Sequence, residues 1–154
     1  MDVTTADIKN AYIQDQSLET HYVIYSAELG LDKIGKVSLI YSALYGGKLS
    51  GADFWKHLWI CMMHLGFTSC KADHDICIRE SHKYHGTPVL GYFLFYVEDA
   101  LVISNRGEDV IGKEIGKYFR IEDSSIRPPS IYLGNDVSKV TLENGFEAWY
   151  FSSS

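Results

Sequence analysis

Residues 91–104 read GYFLFYVEDALVIS, and the rest of the chain is organised around them. Two β-rich runs, Tyr92 to Val97 and Ala100 to Ser104, flank an acidic pair, Glu98 and Asp99. Aromatic and β-branched residues dominate the first run, and Leu101, Val102 and Ile103 fill the middle of the second. This pattern predicts two buried antiparallel strands joined by a tight turn at the acids. Adjacent carboxylates repel each other and resist desolvation, so such a turn is costly between buried strands. A divalent cation held by the oxygens relieves that cost. A third carboxylate would then be expected elsewhere in the chain.

Working outward, Asp2 to Tyr12 (DVTTADIKNAY) predicts a strand with Asp7 near its end. A strand that begins so close to Met1 has few neighbours of its own, which points to a fragment. Ser17 to Glu28 reads as a small extended excursion, and Val37 to Leu44 as a mixed apolar run. Gly46, Gly47 and Gly51 mark a turn with close backbone approach. Asp53 to Gly66 predicts a helix. Its apolar face carries Phe54, Leu58, Cys61, Met62 and Leu65, Ser50 or Asp53 caps its start, and Gly66 stands just past its end. Ile76 to Arg79 reads as a strand and Ser81 to Pro88 as a polar hairpin loop. Gly107 to Phe119 predicts a second helix with Ile111, Ile115, Tyr118 and Phe119 on one stripe. Asp123 to Ser130 is a loop containing Pro128 and Pro129. Ile131 to Val140 reads as a strand with a glycine break. Asn144 and Gly145 mark a C-terminal hairpin within Thr141 to Phe151.

The expected fold class is therefore α+β: an antiparallel sheet with two helices on one face in split βαβ order, plus the C-terminal hairpin. That order sets the first strand beside the turn between the second and third. Asp7, Glu98 and Asp99 are thus candidates for a two-metal carboxylate site, with two Mg²⁺ (or Mn²⁺) ions about 4 Å apart. The alternative is an exposed turn with two charges and an unrelated aspartate.

Composition narrows the classes. The chain has 154 residues, 46% of them hydrophobic and 22% charged, as in a globular domain. No apolar run is long enough for a membrane span, and residues 1–10 lack the pattern of a signal peptide. Cys61, Cys70 and Cys77 form no CxxC and read as free thiols in a reducing compartment. The expectation is an intracellular protein, cytoplasmic or nuclear and not secreted. A net charge of −6 is unusual for a stand-alone nucleic-acid binder. His82, His85, Cys70 and Cys77 match no common zinc spacing. His57 and His64 are expected on the polar side of the first helix, and Trp55 and Trp59 as packing residues. Lys113, Glu114 and Lys117 are expected on a solvated face.

Five blocks, taken in order, resemble the reverse transcriptase of copia-type retrotransposons. Asp7 to Tyr12 (DIKNAY) is similar to the first palm motif of that family, and Ala43 to Gly51 (ALYGGKLSG) to its LYGLK-type segment. Leu65 to Phe67 with Ser69 to Asp73 resembles its LGF…S-x-x-D stretch. Tyr96 to Asp99 (YVED) stands where the family has YVDD, and Ile131 to Gly134 (IYLG) resembles its later YLG strand.

The resemblance implies a polymerase palm, covering residues 1–154, that performs two-metal nucleotidyl transfer. Its partners would be an RNA template, a DNA primer and a deoxynucleoside triphosphate. Asp7 and Asp99 would be metal-binding aspartates. Tyr12 would lie under the incoming sugar and exclude a 2′-hydroxyl, and Gly46, Gly47 and Lys48 would lie near the nucleotide. Glu98 departs from the pattern, replacing an Asp with a side chain one methylene longer. The fingers, thumb and RNase H regions of such an enzyme do not fit in this length, so little or no activity is expected of the chain alone. A non-catalytic relic, or a small RNA-binding module using Phe93 and Phe95, are the alternative readings.

Overall fold

The structure is a computed structural model. It describes residues 1–14, 16–84 and 87–152, with side chains for all of these except 18, 81–84, 87 and 88. The strands are β1 (Asp2–Asp7), β2 (Gln16–Ile24), β3 (Val37–Ser42), β4 (Thr68–Ser69), β5 (Ile76–Tyr84), β6 (Thr87–Tyr96), β7 (Asp99–Ser104), β8 (Ile131–Tyr132), β9 (Asn135–Thr141) and β10 (Glu147–Ser152). Helix α1 spans Ser50–His64. Helix α2 begins at Gly107–Asp109 and continues as a π-turn over Val110–Glu114 and a 3-10 turn over Ile115–Lys117. This is a mixed α/β chain with antiparallel sheets and two helices. It divides into two compact units, Met1–Lys9 with Met62–Ser154, and Asn10–Cys61.

The first unit is built on a five-stranded sheet in the order β1-β7-β6-β5-β4. Strand alternation gives each face a separate composition. One face stacks Ala6, Ala100, Val102, Phe93 and Cys77, all buried. Helix α2 starts on this face, because a Cβ on Gly107 would come within 2.6 Å of Thr4 Oγ1 and 3.4 Å of Val102 Cγ1. Phe67 meets Phe93 edge-on at 4.8 Å. Arg79 lies 4.2 Å over the Phe67 ring, donates to the Leu65 carbonyl at 2.6 Å and pairs with Glu114 at 2.7 Å. Glu114 therefore ties α2 to the sheet and does not belong to the expected solvated face. The other face carries the rows Val3–Ile103–Tyr92–Ile78 and Thr5–Leu101–Leu94–Ile76, mostly half-buried. Strands β8, β9 and β10 form a separate three-stranded sheet.

Several expected boundaries shift. Helix α1 starts at Ser50, so Asp53 lies inside its first turn. The Gly66 N–H bonds to Met63 O and the Phe67 N–H to Met62 O, with Gly66 at φ +80°, a Schellman ending. The polar stretch expected as a loop over Ser81 to Pro88 is mostly strand, since β5 and β6 keep pairing at Ser81–Val89 and Tyr84–Thr87. Backbone pairing there does not depend on apolar side chains. Tyr118 is exposed, while Ile111, Ile115 and Phe119 are buried. The π-turn rotates the register of α2 and turns Tyr118 out of the stripe. The strand expected over Ile131 to Val140 is broken by a two-residue turn with Leu133 at φ +48° and Gly134 at φ +79°. Both positive angles match a type I′ hairpin.

In the second unit, β2 and β3 form a two-stranded ribbon. Tyr12, in a 3-10 turn, packs against Tyr45 (ring centroids 4.8 Å apart) and edge-on against Phe54 (5.8 Å). Trp55 and Trp59 stack on α1 with ring planes 11° apart, and Trp55 is exposed.

Candidate active site

Asp7 is the last residue of β1 and stands opposite Asp99, the first residue of β7. The Ile8 N–H donates to Glu98 O at 2.8 Å. On its other edge Asp7 is held by residues 121–127: its N–H donates to Ser125 Oγ at 2.7 Å, and its carbonyl accepts from the Glu122 N–H at 3.0 Å. Both main-chain groups of Asp7 thus point away from β7. Asp7 and Asp99 are therefore a non-hydrogen-bonded pair, the closer kind, with Cα atoms about 4.5 Å apart and side chains on one face. Tyr96 faces Asp99 from β6 and completes the row.

The acidic pair is divided, contrary to the expectation that both acids sit in the turn. The turn residues are Val97 and Glu98, while Asp99 belongs to the strand. Val97 takes φ +56°, a conformation that is costly for a β-branched side chain. The register with β1 fixes Asp99 in the ladder, and Val97 adopts the strained angle that closes the loop.

Partial burial, then the charges of Glu98, Asp99 and Glu122, hold the Asp7 carboxyl above its ordinary range. Burial and then Glu98 do the same to Asp99. The acids therefore feel one another electrostatically. Glu122 itself is held low, first by its hydrogen bond to Lys9, with Nζ and Oε2 3.1 Å apart. Tyr132 is pushed up to about 12 by burial and then by the Asp99 charge, so its hydroxyl keeps its proton at neutral pH. A cavity of about 390 Å³ opens at this end of β1, lined by Asp7, Asp99, Ser125, Arg127, Tyr132 and Leu133 among others.

Glu122, Ser125 and Arg127 carried no signal of their own in the sequence. They reach the site because 121–127 bridges the outer edge of β1 at Ile8–Ile121 and Thr5–Arg127. Tyr132 lies in the YLG-like block, which was the available clue.

Oxygen donors and concentrated negative charge suit a hard divalent cation at Asp7 and Asp99. As the side chains stand, no group of three or more His, Cys, Asp or Glu among the described residues is arranged to hold a metal ion. The aspartate pair offers oxygen donors of the kind such a cation takes, and no closed set of three ligands stands among the described residues.

Tyr12, Gly46, Gly47 and Lys48 belong to the second unit. There Gly46, at φ +86°, sits third in a turn closed by Gly47 N–H to Leu44 O at 2.9 Å, next to Tyr45 and hence to Tyr12. Lys48 is exposed.

His85 and the His82 side chain lie outside the described residues. Burial pushes the Cys77 thiol up to about 11 and Cys61 up to about 12, which keeps both as inert thiols. His57 is half-buried, off the polar side expected for it, and His64 is exposed. Phe93 is 0% exposed, so the open aromatic platform expected of an RNA-binding sheet is absent at that residue. No helix among the described residues is long and apolar enough to cross a membrane. Comparison with known families, with curated proteins and with solved structures found no match to this chain.

Proposed function

We propose that this chain is the palm portion of an RNA-directed DNA polymerase of the copia type, weakened at its catalytic box by Glu98. The observation that supports this most directly is the cross-strand pair Asp7–Asp99 beside the Val97–Glu98 turn. Three acids, 92 positions apart at the extremes (99 − 7), share one electrostatic neighbourhood. In this reading the partners are an RNA template, a DNA primer and a deoxynucleoside triphosphate. Asp7 and Asp99 would hold Mg²⁺, and the ion would supply Lewis-acid polarisation of the attacking hydroxyl and charge to offset the phosphate. The chain itself contributes rigidity: Ser125 and Glu122 fix the Asp7 backbone, and β6 and β7 fix Asp99. Glu98 supplies charge from the turn with a longer reach. Catalytic geometry is sensitive to displacements of about 1 Å, so that substitution lowers the rate.

The incomplete ligand set favours a second reading, a relic that keeps the fold and has lost the chemistry. Primer extension with Mg²⁺ or Mn²⁺ separates the two, using Glu98→Asp with fingers and thumb supplied. The expected result is template-dependent extension that rises about 100-fold on Glu98→Asp. Absence of extension by that variant, alongside absence of Mg²⁺-dependent thermal stabilisation, leaves only the relic.

A further inference from the structure

The β2–β3 ribbon turns its more apolar face outward. The pairs Tyr22–Leu39 and Ile24–Val37 place these residues on one face, and Tyr41 shares it by alternation. Their exposures are 66% for Tyr22, 69% for Ile24, 59% for Val37, 39% for Leu39 and 69% for Tyr41. The opposite face, with His21, Val23, Ser38 and Ile40, is more polar yet is the half-covered one. A solvent-facing strand surface ordinarily alternates the other way, with polar residues outward. A ribbon of two strands is also marginal without a further layer on its apolar side.

We propose that this face is a docking surface for a second copy of the same chain, two ribbons packing face to face about a twofold axis. Three features of the surface favour a second copy. Its five residues carry no charge, so two chains of net charge −6 can meet there without bringing like charges into contact. The face is self-complementary in chemistry, with aromatic and aliphatic side chains side by side, as an isologous contact needs. Its extent suits a dissociable dimer: the five exposed side chains offer roughly 500 Å² per copy, or about 1,000 Å² in all, the lower bound for a specific interface.

The test is sedimentation velocity on the full chain across the micromolar range. The expected result is a concentration-dependent monomer–dimer equilibrium. Tyr22→Lys and, separately, Tyr22→Glu should each weaken it about tenfold or more, by burying a charge in the central Tyr22–Leu39 row. Leu142→Lys, on an exposed apolar residue of the β9–β10 connection, should leave it unchanged. Mixing the Lys and Glu variants should restore dimer, which misfolding of either variant could not do. A wild-type chain that stays monomeric at high concentration overturns the proposal and assigns the face to a different polypeptide. Dimers insensitive to Tyr22 substitution, or open-ended oligomers, overturn it as well.

Discussion

Two antiparallel hairpins in this chain use similar residues to opposite ends. The β6–β7 hairpin buries Phe93, Val102 and Ala100 on one face of its sheet and keeps its acids at the rim of the other. The β2–β3 hairpin holds Tyr22, Ile24, Val37, Leu39 and Tyr41 out in solvent. Both runs have strong β propensity, so propensity alone does not separate them. Neighbours do: β6 and β7 lie inside a five-stranded sheet, whereas β2 and β3 have only each other. A fully buried aromatic is worth far more to the fold than the same ring in water. At dilutions that keep the chain monomeric, Phe93→Ala should therefore cost about 3–5 kcal/mol in urea unfolding, while Tyr22→Ala should stay within about 0.5 kcal/mol. Similar losses at both positions would break the contrast and show that the ribbon face is already covered in the monomer.

The turn of the β6–β7 hairpin also differs from a third hairpin's, the one between β8 and β9. Val97 sits at φ +56° beside Glu98, whereas the turn between β8 and β9 puts glycine in one of its two positive-φ positions. Left-handed backbone costs roughly 1–2 kcal/mol for a residue with a Cβ. Val97→Gly should relieve it and raise stability by about 1 kcal/mol, net of the entropy that glycine adds to the unfolded chain. A loss of stability instead would mean that the Val97 side chain contributes packing at the turn that outweighs the strain.

Much of this architecture was legible from side-chain pattern. Alternation marked β1, β6 and β7, and the i, i+4 spacing of Phe54, Leu58 and Met62 marked α1, with Gly66 placing its end. The details that build the site were less legible because backbone and register control them. Asp99 moved from turn to strand because its partner across the ladder is Asp7, and Val97 accommodated the shift against its own preference. Residues 121–127 have no periodicity, yet they close the outer edge of β1 through main-chain bonds and Ser125 Oγ. The polar residues 81–84 remain in β5 because the pairing with β6 carries them along. The outward apolar face of the ribbon was hidden for the opposite reason: composition says that Tyr22 and Ile24 are apolar, and only the strand partners say which way they point.

The smallest expected effect tests the acids themselves, where the rim of the β6–β7 hairpin differs most from the uncharged outer face of the ribbon. The native Asp7 carboxyl is held above its unfolded value of 3.8, by burial first and then by Glu98, Asp99 and Glu122. The native state therefore binds this proton more tightly than the unfolded state does. Below the unfolded value both states are protonated and no penalty exists. As the pH rises through the raised native value, the native carboxylate ionises against its neighbours and stability falls. Above that value the penalty is fully present, and Asp99 contributes in the same sense. Asp7→Asn should accordingly leave the melting temperature unchanged near pH 3 and raise it by about 1–2 °C at pH 7. Mg²⁺ at pH 7 should narrow that gap by stabilising the wild-type chain more than the variant, since the cation offsets the same repulsion. The Asp7 main-chain bonds to Ser125 and Glu122 are the same in both chains, so a gap that is constant with pH would trace to the amide side chain itself and not to loss of the charge. A gap that responds to pH but not to Mg²⁺ would keep the electrostatic cluster and remove the metal from it.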